Sequence, residues 1–134
     1  MTKERLKRYT ALKGECDRMK TRIEEIDARL YKYRTQNLSG MPMAHDVPND
    51  YTEKLIDKKQ KVLDKYNAVT LTLEDELLRI ETAIEAVEDP TARDLLRCRY
   101  IDGHTWEQVC VCIGYGWSQT HALHAEALRM IRDK

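Results

Sequence analysis

Residues 9–33 read YTALKGECDRMKTRIEEIDARLYKY, and their apolar side chains recur at alternating steps of three and four. A mean period of 3.5 residues keeps one stripe of a helix facing a partner helix, as in coiled coils. No proline interrupts the run from Lys3 to Arg34. We therefore predict one long helix over this range, which must pack against a second helix. Its stripe consists of Tyr9, Leu12, Cys16, Met19, Ile23, Ile26, Leu30 and Tyr33.

The predicted partner is a second long helix that follows a loop. Residues 35–50 contain a Ser-Gly pair and two of the three prolines, and they lose the periodicity, which is typical of a loop. Asp50, with Glu53 three residues later, can cap a helix that starts at Tyr51 and continues to Glu88. The loop is long enough to reverse the chain, which favours an antiparallel hairpin. The alternative is a parallel homodimer through the first helix.

The charge of the chain is balanced overall but not locally. The 23 basic and 23 acidic residues cancel, which argues against a protein that binds nucleic acid by bulk charge alone. The net charge is +5 over residues 1–34, −6 over residues 35–90 and +1 over residues 91–134. This alternation is consistent with a basic helix lying against an acidic one. Two independently solvated charged faces would give the same numbers, because surface ion pairs contribute little stability each.

The last third of the chain predicts short helices instead of long ones. Asp89-Pro90 closes the second long helix, and Pro90 suits the first turn of the next because it lacks an N–H group. That helix ends at Asp102-Gly103. Thr105, with Gln108 three residues later, forms a capping-box pattern that starts a helix over Trp106–Ile113.

A final helix follows the tight turn Gly114-Tyr115-Gly116, and we expect Ser118 to cap it. It extends to about Arg132. Two helices joined by a glycine-containing turn, the second one longer, are the layout of a helix-turn-helix. At about 100° per residue, one side of this last helix is polar, with Ser118, Ala122 and Arg129. The opposite side carries Thr120, Leu123, Ala127, Leu128 and Ile131.

These residues carry a resemblance to a known family. Residues 95–131, LLRCRYIDGHTWEQVCVCIGYGWSQTHALHAEALRMI, resemble the region 4 helix-turn-helix of bacterial sigma factors. The whole chain resembles phage-encoded transcriptional regulators of the RinA and ArpU type, which join such a domain to an N-terminal helical segment. The motif match covers about the last 40 residues, and the first two thirds match only in layout. It runs in order through residues 99–103, 105–107, 113–115 and 127–128.

The combined prediction is an all-α protein of two parts. Residues 1–89 form a long antiparallel helical hairpin that self-associates or binds a partner. Residues 90–134 form a small sigma-region-4-like helix-turn-helix domain, which at this size must lean on the end of the second helix through Ile84 and Val87.

The resemblance implies a DNA-binding phage regulator that activates late or packaging genes in the bacterial cytoplasm. The implied partners are double-stranded DNA, host RNA polymerase and a second copy of the chain as a homodimer. Two alternatives stay open. A small terminase subunit would bind phage packaging sites with the same motif, and an interaction module would bind protein and no DNA.

The residues expected at a DNA duplex lie around the predicted turn and the last helix. Gln119 can pair with adenine, and Ser118 can contact a base edge or a phosphate. Arg129 and Arg132 are expected to contact the backbone. Trp117 suggests a stacking residue, although we favour a place for it in the small core. The full candidate set is His104, Thr105, Trp117, Ser118, Gln119, His121, Ala122, Arg129 and Arg132.

Sigma-like recognition helices usually carry more basic residues than this one. Ala122, Ala125 and Glu126 occupy much of the exposed face, and Thr120 stands where a β-branched apolar residue is commoner. We therefore expect weak DNA binding by a monomer.

Other classes of protein find little support in the sequence. No phosphate-binding glycine loop, nucleophile elbow or HExxH pattern is present, so we predict no enzyme and no cofactor. Cys110 and Cys112 are two apart on a helix and point in different directions, so we predict no metal site. No apolar run reaches the roughly 18–20 residues that span a bilayer. The four unevenly spaced cysteines predict no disulfide framework, which favours a reducing compartment.

Overall fold

The structure, a computed structural model, describes residues 1–38 and 50–132, and all the regular elements among them are helical. This confirms the predicted all-α class. No helix in this part of the chain has both the length and the apolar character needed to cross a membrane. The helices are α1, Lys3–Leu38; α2, Tyr51–Glu85; α3, Pro90–Leu96; α4, Trp106–Ile113; and α5, Trp117–Arg132, with a π-helical segment, Arg97–Ile101, continuing α3.

The ends of the long helices differ slightly from the prediction. Helix α1 continues past Arg34 into the predicted loop, of which residues 39–49 lie outside the described residues. Helix α2 ends at Glu85, three residues before Glu88. Asp89 adopts an extended conformation and its carboxylate accepts the N–H of Thr91 at 3.0 Å, which caps α3. The residues before Asp89 must leave the helix for this cap to form.

Contacts divide the chain into two compact units. The first consists of Met1–Lys13 together with Thr72–Lys134, and the second consists of Gly14–Leu71. The predicted functional division at residue 89 stays a prediction, since it concerns the roles of the two parts. The contact units nevertheless place the start of α1 and the end of α2 with the short helices.

In the second unit, α1 and α2 pair antiparallel. Tyr33 and Tyr51 have ring centroids 5.4 Å apart, and Lys59 Nζ lies 2.7 Å from Asp27 Oδ1. Cys16 Sγ lies 3.9 Å from the Thr70 hydroxyl. Later residues of α1 therefore contact earlier residues of α2, so the two helices are antiparallel. This confirms the predicted hairpin. A small buried cluster of Ile26, Leu30 and Leu55 lines the seam, with Tyr51 packed against it.

The first unit contains the main core. Within it, Ile80, Ile84 and Val87 at the end of α2 pack with the short helices, as predicted for Ile84 and Val87. Leu6 and Tyr9 at the start of α1 belong to the same cluster, which the sequence did not indicate. The fully buried members from the short helices are Ala92, Leu95, Leu96, Val109, Ala127 and Ile131.

Two polar links hold the start of α1 in the first unit. Arg5 donates to both carboxylate oxygens of Glu76 on α2, at 3.1 and 3.2 Å. This hydrogen bond is the main cause that lowers the pKa of Glu76. Thr10 and Lys13 donate to the backbone carbonyls of Tyr100 and Ile101, at 3.1 and 2.7 Å. Helix α1 is therefore fixed to α2 and to the π-helical segment together.

Candidate nucleic-acid interface

Helix α4 begins and ends at the residues that the sequence predicted. The Thr105 hydroxyl accepts the N–H of Gln108 at 3.3 Å, and Gln108 Oε1 accepts the N–H of Thr105 at 2.9 Å. This reciprocal pair is the predicted capping box. The helix ends at Gly114, whose φ of 73° lies in the left-handed region that favours glycine.

Helix α5 follows after a turn of three residues, Gly114-Tyr115-Gly116. It begins at Trp117, so Ser118 lies in the first helical turn, and the prediction that Ser118 caps the helix was wrong. The N–H of Thr120 already donates to the carbonyl of Gly116 at 2.9 Å, which places the start of the helix two residues earlier than expected.

One side of α5 packs into the core and the other is exposed. Thr120, Ala127 and Ile131 have no exposed surface, and His124 is buried. This agrees with the side predicted from the helical period. Burial and the nearby positive charges of Lys3 and Arg99 lower the pKa of His124. Apart from Trp117, the exposed residues of α5, which we call the α5 edge, are Ser118, Gln119, Ala122, Ala125, Glu126, Arg129 and Arg132.

His124 links α5 to the π-helical segment. Its Nε2 atom lies 2.7 Å from the hydroxyl oxygen of Tyr100, and the two rings stack with centroids 5.9 Å apart. Burial is the first cause that lowers the pKa of His124 to about 4, followed by nearby positive charges. Burial also raises the pKa of Tyr100. The ring is therefore neutral at pH 7, which suits a buried site.

A row of side chains in ring contact runs beside the α5 edge. The guanidinium of Arg99 lies 4.4 Å from the centre of the Trp106 ring, a cation–π contact. The His121 ring lies between Trp106 and Trp117, with centroids 4.6 Å from each. We call Arg99, Trp106, His121 and Trp117 the ring row. It joins the π-helical segment, α4 and the first turns of α5.

Trp117 corrects one expectation. We favoured a core position for it, but 55% of its surface is exposed. It covers His121 from the solvent side instead of closing the core. The reason is the early start of α5, because Trp117 at the first helical position projects beside the turn. The stacking role that the sequence also suggested for Trp117 stays a prediction.

The two candidates at the start of α4 are partly engaged within the chain. The carbonyl of His104 accepts Nη1 of Arg99 at 2.8 Å, and its N–H donates to the carbonyl of Cys98. The hydroxyl and N–H of Thr105 both belong to the capping box. Glu107 adds a carboxylate to the first turn. These internal hydrogen bonds leave few free donors for a phosphate at the start of α4.

The structure brings most of the remaining candidates together on one surface. Ser118, Gln119, Ala122 and Arg129 are exposed on α5, and His121 is half-buried beside them. Nε2 of His121 is buried and has no hydrogen-bond partner among the described residues. The arrangement offers hydrogen-bonding groups at the helix start and positive charge toward its end.

Helix packing brings two of the cysteines together, which the sequence did not indicate. Cys98 of the π-helical segment lies beside Cys112 of α4, with Cα atoms 7.2 Å apart. Cys16 and Cys110 are free. The spacing of the cysteines along the sequence does not show which two of them helix packing brings together. Over residues 1–38 and 50–132, no group of three His, Cys, Asp or Glu side chains could hold a metal ion.

Sequence analysis missed two contributions to this surface. Arg99 and Trp106 stack only because α4 packs on the π-helical segment, a contact between residues seven apart that depends on an intervening turn. The start of α1 comes from the opposite end of the chain. In the sequence, only the apolar residue Leu6, three positions before the predicted stripe begins at Tyr9, indicated that the start of α1 is buried. Comparisons with protein-family models, with curated proteins and with solved structures found no match.

Proposed function

We propose that this chain binds double-stranded DNA through the α5 edge and regulates phage transcription, activating late or packaging genes together with host RNA polymerase. The observation that carries the proposal is the two-sided character of α5. Its core side is buried, and its other side is exposed and not covered by the short helices. A recognition helix needs both properties, because it must be held firmly while its own side chains enter the major groove.

Different residues of the α5 edge suit contacts with the bases and contacts with the DNA backbone. Ser118 and Gln119 lie in the first turn, where recognition helices contact base edges, and a glutamine amide can bond both N6 and N7 of adenine. Arg129 and Arg132 lie in the last turn and suit phosphates. Glu126 opposes close approach of the middle of the helix to DNA. We infer weak binding by one copy and a need for dimerisation or polymerase contact.

The test is binding to duplex DNA as a function of salt. Wild-type protein, Gln119→Ala and Arg129→Ala are titrated by fluorescence anisotropy against the upstream region of the chain's own gene and against a scrambled duplex. Gln60→Ala and Arg34→Ala, exposed on the second unit, are matched controls. Gln119→Ala should cost about 1–3 kcal/mol on the cognate duplex only. Arg129→Ala should weaken binding to both duplexes and lower the salt slope by about 0.9.

Two results would contradict the proposal. Unchanged affinities for Gln119→Ala and Arg129→Ala would show that the α5 edge does not face DNA. Nanomolar binding by a proven monomer would contradict the inferred weakness of a single copy.

A second candidate function, protein binding without DNA, is favoured by a separate observation. Val111 is 84% exposed, and Tyr115 and Trp117 at the turn are 39% and 55% exposed. Apolar side chains exposed near one turn are typical of protein contact surfaces. Under this alternative, Val111→Ser and Tyr115→Ser abolish polymerase capture, while no variant of the α5 edge changes any duplex titration.

A further inference from the structure

The first turns of α1 belong to the same compact unit as α5. Leu6 has no exposed surface and Tyr9 is 3% exposed, and both lie in the cluster that contains Ala127 and Ile131 of α5. The ion pair between Arg5 and Glu76 adds a polar constraint on the side of α2. The backbone of these turns is therefore held in place relative to α5.

One face of these turns is directed at the π-helical segment. Lys3, Lys7 and Thr10 are spaced i, i+4 and i+7, which places them on one side of a helix. Thr10 on this side donates to the carbonyl of Tyr100, whose hydroxyl in turn contacts His124 of α5. The same side therefore continues, one and two turns earlier, as the exposed ammonium groups of Lys7 and Lys3.

Lys3 and Lys7 carry free positive charge. Both side chains are exposed, and neither forms an ion pair with any residue that the structure describes. Arg5 on the same helix differs, because Glu76 neutralises it. The charges of Lys3 and Lys7 act on His124 and contribute to its lowered pKa, after the larger effect of burial. They therefore lie within electrostatic range of α5.

Residues 1–13 carry more net positive charge than the part of the chain that contains α5. Residues 90–134 carry a net charge of +1, whereas residues 1–13 carry five basic residues and one acidic residue, or +4. A duplex docked on the α5 edge presents phosphates on both sides of the groove that the helix enters. A pair of lysines beside the helix is suited to one of those backbones.

We propose that Lys3 and Lys7 form a second DNA-contacting element that binds duplex phosphates beside the α5 edge. This inference rests on the proposed function and adds to it a contact from the opposite end of the chain. Because phosphates carry no sequence information, the two lysines contribute affinity and salt dependence without contributing discrimination between sequences.

The test compares Lys3→Gln/Lys7→Gln with a matched pair of substitutions on full-length protein. Lys61→Gln/Lys65→Gln is the control, since those lysines are also exposed, four residues apart and on a long helix, but in the other unit. Affinity for the upstream duplex and for the scrambled duplex is measured between 50 and 200 mM salt. Circular dichroism checks that each variant is folded.

Loss of two phosphate contacts should lower the slope of log affinity against log salt by about 1.8. Over this fourfold salt range, wild-type protein should then lose about tenfold more affinity than the double variant. The ratio of affinities for the two duplexes should stay constant, and the control should behave as wild type. An unchanged slope in the double variant, with Arg129→Ala still lowering it, overturns this inference and leaves the proposed function standing. Absence of any duplex binding by wild-type protein overturns both.

Discussion

At the scale of single residues, His124 shows how a polar side chain serves in the core of the first unit. It is 8% exposed and contacts Tyr100 at 2.7 Å. The charged groups that act on it are all positive, from Lys3, Lys7, Arg99 and His121. Burial and positive neighbours both disfavour the imidazolium form, so the fold selects the neutral ring.

Because the folded chain favours the neutral form of His124, we predict that it loses stability in mild acid. The pKa of His124 is about 4 in the folded chain, below the ordinary value of 6.5, so the unfolded chain binds more protons between these values. The stabilisation is fully present above pH 6.5 and is lost as the pH falls toward 4. The free energy of unfolding should decrease by about 3 kcal/mol over that window. Urea unfolding monitored by tryptophan fluorescence at pH 7 and pH 4.5 measures the change.

The control for this prediction removes the titrating group but keeps its size and polarity. His124→Gln should reduce the difference in unfolding free energy between pH 7 and pH 4.5. His104→Gln removes a histidine that is not in contact with Tyr100 and should leave the difference as in wild type. An equal pH dependence in wild type and His124→Gln would show that other groups cause the acid sensitivity.

At the scale of helices, the sequence predicted the parts that depend on local spacing. The capping box of Thr105 and Gln108, the end of α4 at Gly114 and the buried side of α5 each follow from residues within two turns of one another. The exposure of Ser118, Gln119 and Arg129 follows from the same period. Local patterns of this kind predict the structure correctly because packing in the core favours the same helix ends and the same buried side.

Features that depend on contacts between distant helices were not predictable. The π-helical segment Arg97–Ile101 interrupts what the sequence presents as one short helix. The ring row needs α4 to pack beside that segment. The place of Leu6 in the main core needs α1 and α5, from opposite ends of the chain, to share one cluster. No spacing rule within one helix contains this information.

The shared core predicts that the start of α1 stabilises the first unit. Leu6→Ala removes a fully buried side chain and should lower the free energy of unfolding by about 2–5 kcal/mol. Trp106 and Trp117 are the two tryptophans of the chain and both lie in the first unit, so their fluorescence reports that unit alone. The change should therefore appear in the fluorescence-monitored urea transition.

The matched control is a leucine on the surface of the same unit. Leu78 is 66% exposed, and Leu78→Ala should change the unfolding free energy by less than about 0.5 kcal/mol. If Leu6→Ala shifts only the helical signal in circular dichroism and leaves the fluorescence transition in place, α1 contributes no stability to the short helices.

At the scale of the whole molecule, the balanced net charge conceals an uneven distribution of charged residues along the chain. The start of α1 and the α5 edge carry the basic groups proposed to contact phosphates, while α2 contributes the acidic residues near its end, such as Glu81 and Glu85. Under the proposed function, a single copy would make few phosphate contacts, and two copies on adjacent half-sites would multiply them.

The stoichiometry of the chain separates the regulator from the terminase alternative. Each copy has a mass of 15.8 kDa. A regulator that gains affinity from a second copy is expected to be a monomer or dimer in solution and a dimer on its site, because linking two binding events raises apparent affinity by about 10²–10⁴-fold. Native mass spectrometry with and without the upstream duplex, at several protein concentrations, measures both states. A ring of about eight or more subunits would instead favour a small terminase subunit, since many copies around one duplex supply avidity by a different geometry.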